Sequence, residues 1–344
     1  MSLDTYRLLG RSGLRVSPLA LGTATFGNEW GWGSSPEDAR KLFGIYVERG
    51  GNFIDTAASY RGSEELLGEL TQDRRESLVL ATKYSTLRTP GDPNSGGSHR
   101  KNLFASVENS LRRLRTDHVD LLYVHVWDVL TPFEEVLRGL DDLVRQGKVL
   151  YAGMSNTPAW EISRMQAVAD LRGWSPLVAL QIEHSLINRG GERDLIPMAR
   201  ALGLGVSPYS PLGGGVLSGK YSSPDPGAGE STRRSFNAGL GMVTERTLAI
   251  ADVVREVAVE VERTPAQVAL AWSVRRPGVT APVIGARTPE QLLGNLDALE
   301  VELTGEQVAR LDEVSAIDLG YPHDLLGGDH IRTVMSGELT IESR

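Results

Sequence analysis

Apolar residues follow two alternating spacings along most of this chain. Short apolar runs of β type, such as residues 77–83 (SLVLATK), alternate with segments whose apolar residues stand three and four positions apart, such as residues 101–114. The first spacing predicts buried strands and the second predicts amphipathic helices. Strands that alternate with helices predict an α/β fold with a parallel sheet and right-handed connections.

The number of these units indicates how the sheet is organised. Eight strand-then-helix units follow a short N-terminal segment, with no low-complexity linker and no break in composition. Eight units in about 250–300 residues predict a closed (β/α)8 TIM barrel in preference to an open, doubly wound sheet. We therefore predict a single domain over residues 1–344. The predicted strands are residues 18–21, 52–54, 77–83, 118–125, 148–156, 176–183, 204–210 and 280–286. The predicted helices are residues 36–49, 63–70, 101–114, 132–146, 158–171, 193–201, 244–261, 264–274, 288–299 and 305–314.

Three segments lie outside this repeat. Residues 1–16 contain two short β-type runs around Gly10–Gly13, which predicts a hairpin that caps the barrel. Residues 209–240 are rich in glycine and irregular. Residues 317–344 are weakly patterned, and we expect a C-terminal tail that lies over the active-site face.

Composition and charge restrict the class of function. Apolar residues make up 40% of the chain and charged residues 23%, as in globular proteins with a sizeable core. The net charge of -8 argues against nucleic acid as a partner. Cysteine is absent, which excludes disulfides, thiolate metal sites and cysteine nucleophiles and favours a reducing compartment. No apolar run approaches the roughly 20 residues of a membrane helix, and Asp4, Arg7 and Arg11 interrupt the place of a signal peptide, so we expect a cytoplasmic protein.

Polar residues stand where the predicted strands end. In a (β/α)8 enzyme these carboxyl ends carry the chemistry. Asp55 alone would be ambiguous, because an aspartate after a strand is often a turn residue. Lys83 and His125 occupy the ends of the next strands, and Tyr60 follows Asp55 closely, which makes a reactive cluster the more specific interpretation.

The four side chains have a coherent chemical logic. A phenol has a pKa near ~10, and a neighbouring ammonium lowers it while a carboxylate holds that ammonium in place. Asp55, Lys83 and Tyr60 therefore form a proton donor–acceptor unit, and His125 can orient a substrate oxygen. None of the four supplies electrons, so we expect them to polarise and protonate a carbonyl while a separate cofactor delivers hydride.

Competing motifs are absent or incomplete. GxGxxG does not follow the first strand, and neither GxSxG nor HExxH occurs. Residues 214–221 (GGVLSGKY) match part of a P-loop, but Tyr221 stands where Mg²⁺ requires serine or threonine. A glycine-rich basic loop that lies along a phosphate-bearing cofactor remains a reasonable interpretation of this segment.

The motifs FIDTAASY, ATK, LLYVH, GMSN, QIEHSL, YSPLGGGVLSGKY and VIGARTPEQLLGN together resemble an aldo-keto reductase over almost the whole chain. The last three resemble the bacterial, aryl-alcohol-dehydrogenase-like and potassium-channel β-subunit branch. The resemblance implies that Tyr60 is the general acid, that Lys83 and Asp55 tune it, and that His125 orients the substrate. It implies no metal.

The same resemblance implies a set of cofactor contacts, with NADPH as the cofactor and NADH less favoured. Residues implied at the nicotinamide are Ser155, Asn156 and Gln181, which would bond its carboxamide, and Tyr209, which would stack on the ring. Gly22 and Thr23 are implied to pass close to the cofactor, and Asp55 is also counted among the cofactor contacts. Residues implied over the pyrophosphate, in the covering loop 209–240, are Ser210, Leu212, Gly219 and Lys220. Residues implied at the adenosine end are Gly285, Arg287, Gln291 and Asn295. Arg287 carries the preference for NADPH, because a guanidinium suits a 2′-phosphate.

Three departures from the family pattern concern the substrate side. The segment after Tyr60, residues 61–68, is short for this branch, and loop 88–100 belongs to substrate choice. His184 replaces the usual tyrosine, and we expect a satisfied polar residue there. We also expect pocket walls for a flat, aromatic substrate from Trp30, Trp32, Trp127 and Tyr321, with His323 nearby.

The leading hypothesis is an NADPH-dependent reductase that converts aldehydes or ketones to alcohols, with a small-molecule carbonyl compound as its partner. Two alternatives stay open: a sugar-nucleotide keto or enoyl reductase in a biosynthetic pathway, and a cofactor-sensing binding subunit. The sequence does not determine the oligomeric state, and a homo-oligomer is compatible with it.

Overall fold

The computed structural model describes residues 1–27, 33–220, 241–337 and 339. Within them, eight parallel strands form one sheet in the order β10-β3-β4-β5-β6-β7-β8-β9. The sheet closes on itself, because the N–H of Thr280, just before β10, donates to the carbonyl of Val206 in β9 at 2.7 Å. The strands are β3 Ala20–Gly22, β4 Phe53–Asp55, β5 Val79–Tyr84, β6 Val119–Val124, β7 Val149–Ser155, β8 Leu177–Glu183, β9 Gly205–Tyr209 and β10 Val283–Ile284.

Helices follow the strands and surround the barrel, which confirms the predicted (β/α)8 TIM barrel. The α-helices are α1 Pro36–Glu48, α2 Ser63–Leu70, α3 Arg100–Leu114, α4 Phe133–Arg145, α5 Ala159–Arg172, α6 Leu195–Leu202, α7 Glu245–Glu260, α8 Pro265–Val274, α9 Pro289–Leu296, α10 Gly305–Val314, α11 His323–Gly327 and α12 Asp329–Ser336. Short 3-10 segments span Gln72–Ser77, Gly190–Glu192, Gly213–Ser218 and Asp297–Glu300.

Hydroxyl side chains cap several of these helices. Ser35 accepts the backbone N–H of Asp38 at the start of α1, and Pro36 occupies the first helical turn. Thr264 and Gln267 form a reciprocal capping box at the start of α8. The starts of both helices therefore follow from local sequence, as predicted.

The predicted N-terminal hairpin is present and closes the amino end of the barrel. Strands β1 Arg7–Leu8 and β2 Arg15–Val16 pair antiparallel. Leu9 and Val16 join the buried cluster of strand residues that fills the barrel interior. Gly10 stands in the turn with φ +57°, and a Cβ there would lie 2.4 Å from the carbonyl oxygen of Val178. The hairpin therefore acts as a close-fitting plug.

The C-terminal segment differs from the expectation of a weakly patterned tail, because it carries helices α11 and α12. It is attached next to the carboxyl end of β8, where the guanidinium of Arg193 donates to the carbonyls of Asp318 and Leu319 at 2.8 and 2.7 Å. His323 Nε2 also meets Asp194 Oδ1 at 3.0 Å. These contacts place the tail on the predicted face.

Element ends were predicted less accurately than element types. The last strand, expected over residues 280–286, shortens to Val283–Ile284, and the helix expected over residues 288–299 divides into α9 and a 3-10 turn. Among the residues described, none of the helices combines the length and apolar character needed to cross a bilayer.

We expect Gly10→Ala to lower the free energy of unfolding by about 2–4 kcal/mol, because the new methyl group meets backbone atoms and the left-handed conformation is strained. Gly13→Ala is the matched control, since a Cβ at Gly13 has no neighbour within 4 Å among the described residues. Urea unfolding of both variants measures the difference. Equal midpoints for the two would show that the hairpin turn does not fit closely against the barrel.

Candidate active site

A buried ion pair lies at the carboxyl ends of β4 and β5. Lys83 Nζ donates to Asp55 Oδ2 at 2.7 Å, and both side chains are almost fully buried. Lys83 Nζ also donates to the carbonyl of Thr56 at 2.8 Å. Asp55 Oδ1 accepts from Nε2 of Gln181 in β8 at 2.7 Å. The pair is thus compensated by further hydrogen bonds, as buried charges require.

Local backbone hydrogen bonds bring Tyr60 to this pair. After β4 the chain follows the end of β5, because the N–H of Ala58 donates to the carbonyl of Lys83 at 3.0 Å. The N–H of Tyr60 then donates to the carbonyl of Ala57 at 3.0 Å, which closes a tight turn. As a result, Lys83 Nζ lies 5.0 Å from the centre of the Tyr60 ring.

The charge states of Lys83 and Tyr60 follow from burial and from each other. Burial lowers the pKa of Lys83, but Asp55 and Tyr60 more than offset it, so the pKa is raised and the ammonium stays charged. Burial raises the pKa of the Tyr60 phenol, and Lys83 only partly opposes this. The sequence argument considered only the lowering by Lys83. In the structure the net direction is upward, and the phenol holds its proton at neutral pH.

His125 faces Tyr60 from the end of β6. The two rings meet edge to face, with 6.0 Å between centroids and an angle of 83°. Burial and the charge of Lys83 lower the pKa of His125 to about 3, so the imidazole is neutral. Its Nδ1 is buried and has no hydrogen-bond partner within the described part of the chain. The four residues predicted as catalytic therefore lie together.

Asn156 connects His125 with the next strands. Its Nδ2 donates to the carbonyl of His125 at 2.9 Å and to Ser155 Oγ at 3.1 Å. Its Oδ1 accepts from the hydroxyl of Tyr209 at 3.0 Å. Asn156 has φ +47°, a left-handed conformation that is uncommon outside glycine and is often found at functional sites. The amide expected to face the nicotinamide is thus engaged within the protein in this structure.

Two residues expected near the cofactor also have structural roles. The hydroxyl of Thr23 is fully buried, donates to the carbonyl of Asp55 at 3.0 Å, and accepts from Ser63 Oγ at 2.6 Å. A Cβ at Gly22 would lie 2.7 Å from a side-chain carbon of Val283, so packing also favours glycine there. A Gly-Thr pair after a strand is typical of both roles, so these contacts could not be predicted from the sequence.

The glycine-rich segment after β9 has a backbone that favours glycine. Ser210, Gly213, Gly214, Gly215 and Gly219 all have positive φ, between 52° and 103°. The backbone N–H groups of Gly213 and Gly215 donate to the carbonyls of Ser210 and Leu212 at 2.8 and 2.9 Å, so the turn is held by its own hydrogen bonds. Residues without side chains let a phosphate group approach the backbone closely, and Lys220 is exposed at the end of the segment, so the residues present fit a pyrophosphate. Leu212 also packs against the core.

The residues predicted for the adenosine end surround the turn between β10 and α9. The backbone N–H of Arg287 donates to Gln291 Oε1 at 3.0 Å, and Asn295 Nδ2 donates to the carbonyl of Gly285 at 3.3 Å. Arg287 is half-buried. The structure gives this guanidinium no salt bridge to a described residue, so it is available for a ligand.

His184 is fully buried but only half satisfied, because its Nδ1 has no hydrogen-bond partner among the described residues. Its Nε2 meets Glu192 Oε1 at 2.9 Å, and its ring stacks on Trp272 with 5.5 Å between centroids. Burial raises the pKa of Glu192, but His184 and Arg189 more than offset this and lower it to about 2. His184 therefore belongs to an internal ionic network that packs behind the site.

Of the predicted pocket walls, Trp127 is partly buried against the core, and its backbone N–H donates to the carbonyl of Asn156 at 3.4 Å. Tyr321 is 86% exposed and forms no buried wall. Trp30 and Trp32 lie outside the described residues. The structure also shows exposed apolar residues that were not predicted, on the loops after β5 and β6 and in the first turn of α5. We call them the apolar rim: Leu87, Val126, Val129, Leu130 and Trp160.

Across the ranges that the structure describes, no group of three or more His, Asp or Glu side chains could hold a metal ion.

Comparison with known proteins identifies the class to which this fold and site belong. The model of the aldo/keto reductase family matches residues 18–316. The chain is 37% identical to a putative aryl-alcohol dehydrogenase of Saccharomyces cerevisiae, over 98% of this chain and 94% of the relative. It is 36% identical to an NADP(+) aryl-alcohol dehydrogenase of Phanerodontia chrysosporium, over 92% and 86%. It is also 36% identical to a norsolorinic acid reductase of Aspergillus flavus, over 94% and 84%.

The chain therefore belongs to the aldo/keto reductase family and is an NAD(P)H-dependent oxidoreductase. The relatives named above are fungal, whereas the motifs had indicated a bacterial and channel-subunit-like branch. The expected similarity to aryl-alcohol dehydrogenases agrees with the names of two of these relatives.

The lowered pKa of His125 predicts a specific loss of stability in acid. Below pH 6.5 the unfolded chain binds a proton at this residue, but the folded chain does not until about pH 3. Stability is thus lost as the pH falls through this window. We expect His125→Gln to reduce the slope of the unfolding free energy there by up to about 1.4 kcal/mol per pH unit. Urea unfolding measures it. His330→Gln, at an exposed histidine, is the control, and identical slopes for both variants would contradict the neutral, buried imidazole.

Proposed function

We propose that this protein is an NADPH-dependent reductase that converts aromatic aldehydes or ketones to alcohols, with Tyr60 as the proton donor. The buried Asp55–Lys83 pair, with its 2.7 Å contact next to the Tyr60 ring, is the observation that carries the proposal. Lys83 is the member of the cluster that could attack a carbonyl carbon, but its raised pKa keeps it protonated and therefore unreactive as a nucleophile.

Each side chain of the cluster has a separate role in the proposed reaction. The neutral imidazole of His125 donates a hydrogen bond to the carbonyl oxygen and fixes its position. The phenol of Tyr60 gives its proton to that oxygen as negative charge develops on it. Lys83 stabilises the phenolate that remains, and Asp55 keeps Lys83 oriented and charged. A bound nicotinamide supplies the hydride.

The cofactor would lie across the carboxyl ends of the strands. Tyr209 offers a ring face for the nicotinamide, and Ser155, Asn156 and Gln181 stand beside it. We propose that the segment 209–240 covers the pyrophosphate, with Ser210, Gly219 and Lys220 at its described end. The part over residues 221–240 lies outside the described residues. We also propose that residues 1–344 act as one catalytic unit that the hairpin and the tail complete.

Arg287 supports NADPH as the preferred cofactor. Its guanidinium matches the geometry and charge of a phosphate monoester such as the 2′-phosphate. The relative from Phanerodontia chrysosporium carries NADP(+) in its name, which is consistent with this preference.

Aromatic substrates are favoured by the surroundings of the site. Trp127 and the apolar rim offer flat and apolar surface on the loops where a substrate would enter. An aromatic carbonyl compound gains free energy from burial there and presents its oxygen to Tyr60 and His125. Two relatives are named for aryl alcohols, in keeping with this class of substrate.

We expect the wild-type protein to oxidise NADPH in the presence of substituted benzaldehydes, and Tyr60→Phe to lower kcat by at least about 100-fold at saturating NADPH, because it removes the general acid. The fluorescence of bound NADPH should show unchanged affinity. Tyr6→Phe is the matched control, since its hydroxyl bonds to the carbonyl of Gly50 far from the site. Wild-type turnover by Tyr60→Phe would eliminate the proposed proton donor.

The same assay includes a keto-sugar nucleotide. Activity on this compound, with none on aromatic carbonyl compounds, would show that the protein is a sugar-nucleotide reductase and not an aromatic carbonyl reductase. Tight binding of NADPH without oxidation by any carbonyl compound would instead favour a cofactor sensor.

We expect Arg287→Gln to raise the KM for NADPH by about 10- to 100-fold, the effect of losing a charge-assisted hydrogen bond, with little change for NADH. Steady-state kinetics with both cofactors measure this selectivity. Arg172→Gln, at an exposed arginine in the last turn of α5, is the control. Parallel changes for NADPH and NADH would show that Arg287 does not recognise the 2′-phosphate.

A further inference from the structure

Gln181 is bonded to the catalytic cluster itself. Its Nε2 donates to Asp55 Oδ1 at 2.7 Å, a contact between residues 126 positions apart that links β8 to β4 across the barrel. An ionised carboxylate can only accept hydrogen bonds, so the amide must turn its NH₂ group towards Asp55. The oxygen of the amide is therefore directed elsewhere, and the orientation of this side chain is fixed by chemistry.

The two oxygens of Asp55 have separate partners. Oδ2 accepts from Lys83 Nζ, and Oδ1 accepts from Gln181 Nε2, each at 2.7 Å. The terminal torsion of an aspartate is soft, and one hydrogen bond alone leaves the carboxylate free to turn. Two donors from different strands define its plane. The Thr23 hydroxyl donates to the backbone carbonyl of Asp55 and so fixes only the main chain.

We propose that Gln181 is a positioning residue for proton transfer: it holds the carboxylate of Asp55 so that the Lys83 ammonium stays directed at Tyr60. This role goes beyond the contact with the nicotinamide carboxamide that the family resemblance implies. It rests on the proposed function in one respect, since it takes Tyr60 as the proton donor.

Lys83 and Gln181 are the side-chain donors to the Asp55 carboxylate among the described residues. Ser207 pairs with Gln181 in the β8–β9 register. Tyr123 of β6 is fully buried beside both residues: burial and the charge of Asp55 hold its pKa well above the usual range, and contacts with Ser207 and Gln181 oppose this only in part. Neither Ser207 nor Tyr123 donates to Asp55 in the structure. Loss of Gln181 therefore removes the donor that Asp55 Oδ1 has in the structure.

The decisive variant is Gln181→Glu, which keeps the shape of the side chain but replaces the donor with an ionisable group. At pH 8 the introduced carboxylate faces Asp55 as a like charge, and we expect kcat to fall by about 100-fold. As the pH falls to 5.5, the introduced carboxyl group gains a proton and can then donate to Asp55. We therefore expect kcat to rise by at least about tenfold from its value at pH 8. A role in packing alone would not produce this recovery.

The other ionisable groups around the site set the baseline for this pH profile. Tyr60 and Tyr123 stay protonated, Lys83 stays charged and His125 stays neutral in this range, from the directions of their pKa values. Glu183 and Tyr209 lie at the ends of β8 and β9, and burial raises the pKa of each. The pH profile of the wild-type enzyme records any effect of their titration.

Two more variants complete the design. Gln181→Met removes the donor without adding a charge, so kcat should fall by about 10- to 100-fold at every pH, with no recovery in acid. Ser207→Ala removes a buried polar group from the adjacent strand and should keep kcat within about twofold of wild type. Circular dichroism and urea unfolding verify that each variant is folded. If Gln181→Met does not fold, the pH profile of Gln181→Glu still tests whether Gln181 positions Asp55.

A role in cofactor binding alone predicts a different result. Gln181→Met would then raise the dissociation constant of NADPH and leave kcat at saturation unchanged, and Gln181→Glu would follow the wild-type pH profile. Either result would overturn the proposal.

A readout without turnover separates this inference from the proposed function. In protein labelled with ¹³C-tyrosine, the Tyr60 signal, assigned with Tyr60→Phe, should shift in Gln181→Met but not in Ser207→Ala. If Gln181→Met shifts the Tyr60 signal although the wild-type protein reduces no carbonyl compound, the positioning role is retained and the reductase is rejected. An unshifted signal in an active enzyme would reject the positioning role.

Discussion

The structure of the site depends on one buried ion pair, Asp55 with Lys83. Two charges removed from water are destabilising unless hydrogen bonds replace the lost hydration. Here the carboxylate accepts from Lys83 and Gln181, and the ammonium also donates to the carbonyl of Thr56. These partners come from three strands and the turn after β4. A closed barrel suits this arrangement, because its inward side chains converge from all sides at the carboxyl ends of the strands.

Burial has opposite effects on the pKa values of Tyr60 and His125, and both effects leave the side chain neutral. It raises the pKa of the Tyr60 phenol and lowers that of the His125 imidazole. Each group is therefore neutral, and each can donate a hydrogen bond to one oxygen atom. The ammonium of Lys83 then matters most after the proton has moved, when negative charge remains on the phenol. In the proposed mechanism, the Tyr60 phenol is thus protonated before the reaction, and its phenolate is stabilised by Lys83 afterwards.

The fold was predictable to a large extent, and the site in part. Strand and helix periods gave the barrel, because each element buries one defined side. Asp55, Lys83 and His125 followed from the rule that strand ends carry the chemistry. The bond from Gln181 to Asp55 could not be predicted, because it joins β8 to β4 and depends on how the closed barrel directs both side chains. The structural role of Thr23 was not predicted, because its local sequence does not reveal the contact between its hydroxyl and Ser63. The helices of the tail were missed because few of their residues are buried.

The residues proposed for the chemistry and those proposed to meet the substrate come from different parts of this fold. The ion pair and its partners belong to strands whose side chains are buried in the barrel, so a change there disturbs several hydrogen bonds at once. The apolar rim lies on the loops after β5 and β6 and in the first turn of α5, and its Leu130 is 88% exposed and its Val129 82% exposed. A substitution of one of these exposed side chains alters apolar surface without removing a buried polar side chain. Substrate range can therefore change among related reductases while proton transfer is preserved, which is the physical reason that family membership indicates the reaction more firmly than the substrate.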